Sequence, residues 1–79
     1  MNIEIRLFAN LAELLPPGSK NKRANITIED GITVEELMHN LKIPPNITNI
    51  VMVNGTHSDK KAKLSEGDVV SVIPPVTGG

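Results

Sequence analysis

Only one stretch of this sequence has the pattern of a full amphipathic helix. The other regular segments have the pattern of strands or of a single short turn of helix, and this imbalance restricts the folds open to the chain. Thr33 stands at an N-cap position, and Glu36, three residues on, completes a Thr-x-x-Glu capping box. Val34, Leu37, Met38 and Leu41 recur at helical spacing and form one apolar stripe. Glu35, Glu36, His39 and Asn40 take the wet face, and the two glutamates lie in the first turn, where the helix dipole favours negative charge. Ile43-Pro44-Pro45 stops the helix, because a residue before proline avoids the α region.

The strands surround this helix. Ile3, Ile5 and Leu7 alternate with Asn2, Glu4 and Arg6, a half-buried period-two pattern. Asn10 to Leu15 follows as a short helix, with Asn10 as cap, Leu11, Leu14 and Leu15 on one face, and Pro16-Pro17-Gly18 as its end. Ser19 to Arg23 is a polar, basic loop. Ala24, Ile26 and Ile28 alternate with Asn25, Thr27 and Glu29 as a second strand, and Asp30-Gly31 turns out of it. Ile50 to Val53 is a third strand, closed by Asn54-Gly55, a tight-hairpin pair. Thr56 to Lys63 is polar and lysine-rich, with Leu64 as the one apolar anchor, so a weak strand is expected there. Val69 to Ile73 is the last strand.

The order is strand, short helix, strand, helix, strand, weak strand, strand. This predicts an α+β fold with a mixed sheet of four to five strands, one main helix on one face and a short helix after strand one. The first and last strands are expected side by side and parallel, since a crossover helix separates them. This is the β-grasp, or ubiquitin-like, arrangement. Val70 and Val72 on the last strand face one side, and Val69 and Ile73 the other. One helix covers only one face, so Val69 and Ile73 mark either a docking patch or β propensity alone.

Size and composition narrow the function classes. The chain has 79 residues, enough for one domain that buries only about 60% of its unfolded surface. There is no cysteine, hence no disulfide framework, thiolate metal site or cysteine nucleophile; this composition fits a reducing cytosol, and a cytoplasmic location is expected. The net charge is −1 and Phe8 is the only aromatic residue, which gives neither the electrostatic footprint nor the stacking platform of a nucleic-acid binder. No apolar run is long enough to span a bilayer, and the alternating N-terminus reads as a strand and not as a signal peptide. His39 and His57 stand apart and no Gly-rich loop cradles phosphate, so neither a metal nor a bound cofactor is expected. Lys60, Lys61 and Lys63 form a basic cluster, either a solvated loop or a contact for an acidic partner.

The chemistry is concentrated in Pro74-Pro75-Val76-Thr77-Gly78-Gly79. Proline has no N–H, so strand pairing is expected to stop at Pro74, dividing the chain into a domain (1–73) and an extended tail (74–79). The prolines stiffen the stem. Gly78 and Gly79 can enter a channel too narrow for any side chain. The Gly79 carboxylate is a poor acyl donor until activated, usually as an acyl-adenylate. With no nucleotide site here, another protein must supply the ATP chemistry. The activated glycine could take sulfur, as a thiocarboxylate, or an amine, as an isopeptide.

These residues resemble the small sulfur-carrier subunit of molybdopterin synthase, within the ubiquitin-like sulfur carriers. The matching segments are Leu7-Phe8-Ala9 running into Leu11 to Leu15, Gly31 to Leu37, Val53-Asn54-Gly55, Gly67-Asp68-Val69 and the Pro-Pro-Val-Thr-Gly-Gly tail. The resemblance implies that an E1-like enzyme adenylates Gly79 with ATP and that a sulfurtransferase makes the thiocarboxylate. It implies that the tail then enters the large synthase subunit to build the molybdopterin dithiolene, two small and two large subunits associating. Catalytic groups belong to the large subunit, so the chain is a non-catalytic sulfur donor. By the same resemblance Gly79 is the reacting residue, and Phe8, Ile73, Pro74, Pro75, Val76, Thr77 and Gly78 meet the partner. Family members often carry aromatic residues before the Pro-Pro, where this chain has Ile73. Sulfur carriage for thiazole, cysteine or thiolated tRNA, a ubiquitin-like protein modifier, and a β-grasp adaptor with an inert tail are the other readings.

Overall fold

The structure, a computed structural model, describes residues 1–16, 19, 21–43 and 50–75. Five strands form one mixed sheet: β1 (Asn2–Leu7), β2 (Arg23–Thr27), β3 (Ile50–Val53), β4 (Thr56–His57) and β5 (Val69–Ile73), in the spatial order β2-β1-β5-β3-β4. β1 and β5 pair in parallel at the centre, with Ile5 opposite Val70 and Leu7 opposite Val72; the other pairs are antiparallel. The helix α1 (Val34–Asn40) packs on one face, and the expected β-grasp is present.

Side chains alternate between the two faces along each strand, and the face toward α1 is apolar along β1, β2, β3 and β5. Ile3, Ile5 and Leu7 of β1, Val51 of β3 and Val70 and Val72 of β5 are buried with Val34, Leu37 and Met38 of α1. Leu11, Ile32, Ile43 and Leu64 close the core at its margins. Leu64, isolated in a polar stretch of sequence, earns its burial by bonding its N–H to the Ile32 carbonyl at 2.9 Å.

Both ends of α1 are built as the residues dictate. The Thr33 hydroxyl accepts from the Glu36 N–H at 3.2 Å, and the Glu36 carboxylate accepts from the Thr33 N–H at 3.2 Å, so the capping box closes. The next free donors, Val34 N–H and Glu35 N–H, bond to the carbonyls of Ala62 and Lys60, which satisfies the helix start from the neighbouring loop. At the far end Ile43 N–H reaches the Met38 carbonyl and Lys42 N–H the His39 carbonyl, the bond pair of a Schellman motif. Its apolar contact is supplied by Ile43 and Met38, both buried. The helix therefore stops at Asn40, before the Ile43-Pro44-Pro45 stop that the sequence suggests; Pro44 and Pro45 lie outside the described residues.

The first short helix differs from expectation. It is a 3₁₀ helix over Ala9–Leu14, with Phe8 and not Asn10 at the N-cap and no side-chain cap. Phe8 is still held in the sheet by a bond from its N–H to the Val72 carbonyl, and Ala9 turns abruptly with φ 53°. The coil thus begins two residues earlier than a cap at Asn10 would place it. Leu15, before Pro16, is extended and ends the coil after six residues, and the bonds are of the tighter three-residue type, from Leu11 N–H to Phe8 and from Leu15 N–H to Ala12. Leu11 is buried, and Leu14 and Leu15 pack against the core, as their spacing suggested. The weak strand is β4, at Thr56–His57, directly after a two-residue turn in which Asn54 (φ 53°) and Gly55 (φ 82°) are both left-handed, the type I′ geometry. Further on, Lys63 makes a single bridge to Thr33.

Lys42 occupies the left-handed position of the Schellman motif, at φ 61°, where glycine has no Cβ to strain. Lys42→Gly is expected to raise stability by about 0.5–1 kcal/mol, read as a higher urea midpoint with an unchanged slope.

Candidate functional site: the open sheet face and the C-terminal stem

The face of the sheet turned away from α1 divides into a polar half and an apolar half. On the β2–β1 side it carries Arg23, Asn25 and Thr27 beside Asn2, Glu4 and Arg6, where Arg6 Nε donates to the Glu4 carboxylate and Thr27 Oγ1 donates to Asn2 Oδ1 at 2.8 Å. On the β5–β3 side, Ile73 lies opposite Ile50, Ser71 opposite Met52, and Val69 beside Glu4. Ile50 is 44% exposed and Phe8 38%, the two exposed large hydrophobic residues among those described. Phe8 follows Leu7 with extended backbone, so alternation turns its ring away from the core, next to Ile73. Phe8, Ile50 and Ile73, with half-buried Met52, make an apolar patch at the end of the sheet where β5 finishes, and half-buried Val69 lies on the same face where β5 starts.

The stem begins at that patch. β5 makes its last ladder pair at Ile73, Pro74 is half-buried, and Pro75 is exposed. Of the residues singled out from the sequence, Phe8, Ile73, Pro74 and Pro75 are thus brought together at one edge of the patch. Val76, Thr77, Gly78 and Gly79 lie outside the described residues.

The entry to β5 is tied just as firmly. Asn54 Oδ1 accepts from Val69 N–H at 2.9 Å, Asn54 Nδ2 donates to Asp68 Oδ1 at 3.0 Å, and Asp68 Oδ2 accepts from Ser65 N–H at 2.8 Å. Asn54 N–H also donates to the Val69 carbonyl, and Glu4 N–H to the Asp68 carbonyl. The side chain of a turn residue therefore fixes the register of the strand that carries the stem.

Sequence reasoning found Val69 and Ile73 on the open face but not Ile50 and Met52. The available signal was that Ile50 to Val53 is apolar at every position, where a strand covered on one face alone needs apolarity only at alternate ones. It also treated Asn54-Gly55 and Glu66-Gly67-Asp68 as separate turns; their hydrogen bonding to one another depends on long-range register that spacing does not reveal.

Among the described residues no group of three His, Cys, Asp or Glu side chains is placed to hold a metal ion. His39 lies on the exposed side of α1 and His57 on β4. No helix among the described residues is long and apolar enough to cross a membrane. What this surface offers is shape: an exposed apolar platform with a proline stem rising from its margin.

Comparison with known proteins is consistent with that geometry. The structure is similar to SAMP1 from Haloferax volcanii (TM-score 0.72, 24% identity, all of both chains covered). It is similar to a putative molybdopterin converting factor subunit 1 from Pyrococcus furiosus (TM-score 0.72, 22% identity, 95% of this chain and 98% of that one). It also resembles a chain from the complex of subunits 1 and 2 of molybdopterin-converting factor from Helicobacter pylori (TM-score 0.62, 26% identity, all of both chains). No curated protein sequence matches. Residues 5–79 match the ThiS family, nearly the whole chain, and the protein belongs to that family of ubiquitin-like sulfur carriers.

Proposed function

We propose that the chain carries sulfur as a thiocarboxylate on Gly79 and donates it, as the small subunit of a molybdopterin synthase, to the dithiolene of molybdopterin. The observation that carries this reading is the likeness, over the full length of both chains, to a protein solved as the complex of subunits 1 and 2 of molybdopterin-converting factor. Two features of the chain support it. The Pro74-Pro75 stem issues beside the exposed Phe8, Ile50 and Ile73 patch, so a partner docked on the patch would receive the tail directly. And the sequence beyond the stem ends in two glycines, the residues with least steric demand in a narrow channel.

The chemistry divides between proteins. A Gly79 carboxylate oxygen attacks the α-phosphate of ATP on an E1-like enzyme, releasing pyrophosphate. The outer sulfur of a sulfurtransferase persulfide then displaces AMP, and a second thiol on the partner cleaves the resulting acyl disulfide, leaving the thiocarboxylate on Gly79 and a disulfide on the partner. This chain binds no cofactor in that scheme; it supplies the tethered acyl group. The tether delivers sulfur into the large subunit's site at high effective concentration and away from water. Catalytic groups reside on the large subunit, in an assembly of two small and two large subunits, and the work is cytoplasmic.

Mass spectrometry of the C-terminal peptide from protein isolated with its activating enzymes tests the reading. Replacement of one oxygen by sulfur on Gly79 is expected; a lysine adduct would instead mark a protein modifier, and deletion of Gly79 should leave a folded chain that is not adenylated. Pro74→Gly with Pro75→Gly frees the stem and should weaken large-subunit binding about fivefold to thirtyfold, with thermal stability unchanged. Ile50→Glu places a charge in the exposed patch and should lower the same affinity at least tenfold, about 1.4 kcal/mol, because an unpaired charge is then desolvated on docking. Full activity of the Gly79 deletion would overturn the assignment.

A further inference from the structure

A second surface lies on the other side of the molecule, between β2 and α1. It is a groove of about 990 Å³, walled by Ile26, Ile28, Met38 and Leu41 among others. Ile26, Ile28 and Leu41 are only half-buried, so the groove keeps apolar surface in water.

Among the described residues nothing covers the strand beside this groove, which is an edge. β2 is outermost in the sheet. Ile28 exchanges both backbone bonds with Met1, and Leu7 N–H donates to the Lys22 carbonyl, so by alternation Ala24 and Ile26 also bond inward to β1. The N–H and C=O groups of Arg23, Asn25 and Thr27 therefore point outward, and among the described residues they make no backbone bond on that side. The opposite edge, β4, is only two residues long, which blunts it. β2 has five residues with neither proline nor charge in its middle.

These features specify an occupant. Outward backbone groups at every second residue match an extended strand and not a helix. The groove lies on one side of that edge, so alternate side chains of an added strand enter it while the others face Arg23, Asn25 and Thr27. Charge orients it end to end: Glu29, Glu35 and Glu36 outnumber Lys60 among the charged residues bordering the groove, and Lys22 and Arg23 stand where β2 starts. We propose that the β2 edge and the β2–α1 groove bind an extended segment of a partner protein by strand addition. That segment alternates branched apolar with polar residues, is basic at the end beside Glu29 and acidic at the end beside Arg23. Because Ile73 and the stem lie where β2 starts and on the other face of the sheet, this site is available while the Phe8–Ile50–Ile73 patch is occupied.

The test is titration of the isotope-labelled full chain with two synthetic peptides of alternating valine or isoleucine and threonine. One carries lysine first and glutamate last and the other the reverse, since either strand direction satisfies the edge. Amide shifts at Arg23, Asn25, Thr27 and Ile28, with slowed exchange at Asn25 and Thr27, are expected for one peptide. Asn25→Pro removes an outward N–H without touching a bond to β1 and should weaken binding about twofold to tenfold. Glu29→Lys, which leaves the strand intact, should weaken it as well, and Ile50→Glu should have no effect. The proposal is overturned if neither peptide shifts these amides, if the shifts map to Ile50 and Ile73, or if neither Asn25→Pro nor Glu29→Lys weakens binding. It is equally overturned if the edge amides are already protected without peptide, whether by a second copy at high concentration or by residues 76–79.

Discussion

The parallel pairing of β1 with β5 is the contact from which the rest of the architecture takes its position. It joins the two ends of the described chain, and its inward residues, Ile5, Leu7, Val70 and Val72, are completely buried. Parallel neighbours cannot be joined by a tight turn, so everything between them must travel out and return. That excursion contains the helix that covers the pair and the strands that flank it. Burial of so much branched aliphatic surface at one seam matters in a chain this short, where the core has few residues to spare. The seam also decides where the stem leaves, because the chain emerges from the middle of the sheet and not from an edge.

The two faces of the sheet then serve different ends. The covered face is closed by α1 and by Leu11, Ile43 and Leu64, and provides stability. The uncovered face keeps Phe8 and Ile50 in water, which contributes nothing to folding and is consistent with use in binding. The groove against α1 is a third environment, half apolar and bordered by charge, attached to backbone that has hydrogen-bonding capacity left over. A domain of this size thus has room for a platform and a strand-accepting edge without overlap between them.

Local rules made most of the fold legible in the sequence. The capping box at Thr33, the alternation of Ile3, Ile5 and Leu7, the Asn54-Gly55 turn and the parallel partnership of the end strands all follow from spacing and residue type. The failures arose where distant parts of the chain compete. Asn10 has the right chemistry for a cap, but Phe8, bonded to Val72, takes that position, and the coil that ends at the extended Leu15 before Pro16 is of the tighter type. The helix end is marked by the left-handed turn at Lys42, which no local signal in the sequence announces, while Pro44 and Pro45 lie outside the described residues. In the candidate site, Phe8, Ile73, Pro74 and Pro75 were legible from pattern and resemblance. Ile50 and Met52 depend on which strand lies beside β5, and the clasp of Asn54 on Val69 and Asp68 depends on its register. The β2–α1 groove has no local sequence signature at all, since it exists only once the helix is laid across the sheet.

The central placement of β5 has a mechanical consequence. A pull on the tail, whether by a partner withdrawing it or by a machine unfolding the protein, acts along β5 while β1 and β3 grip it from either side. The load falls on two ladders in shear, whose bonds must give way together, and not on one ladder peeled open a bond at a time. The tail is thereby fastened to a strand that is held on both sides.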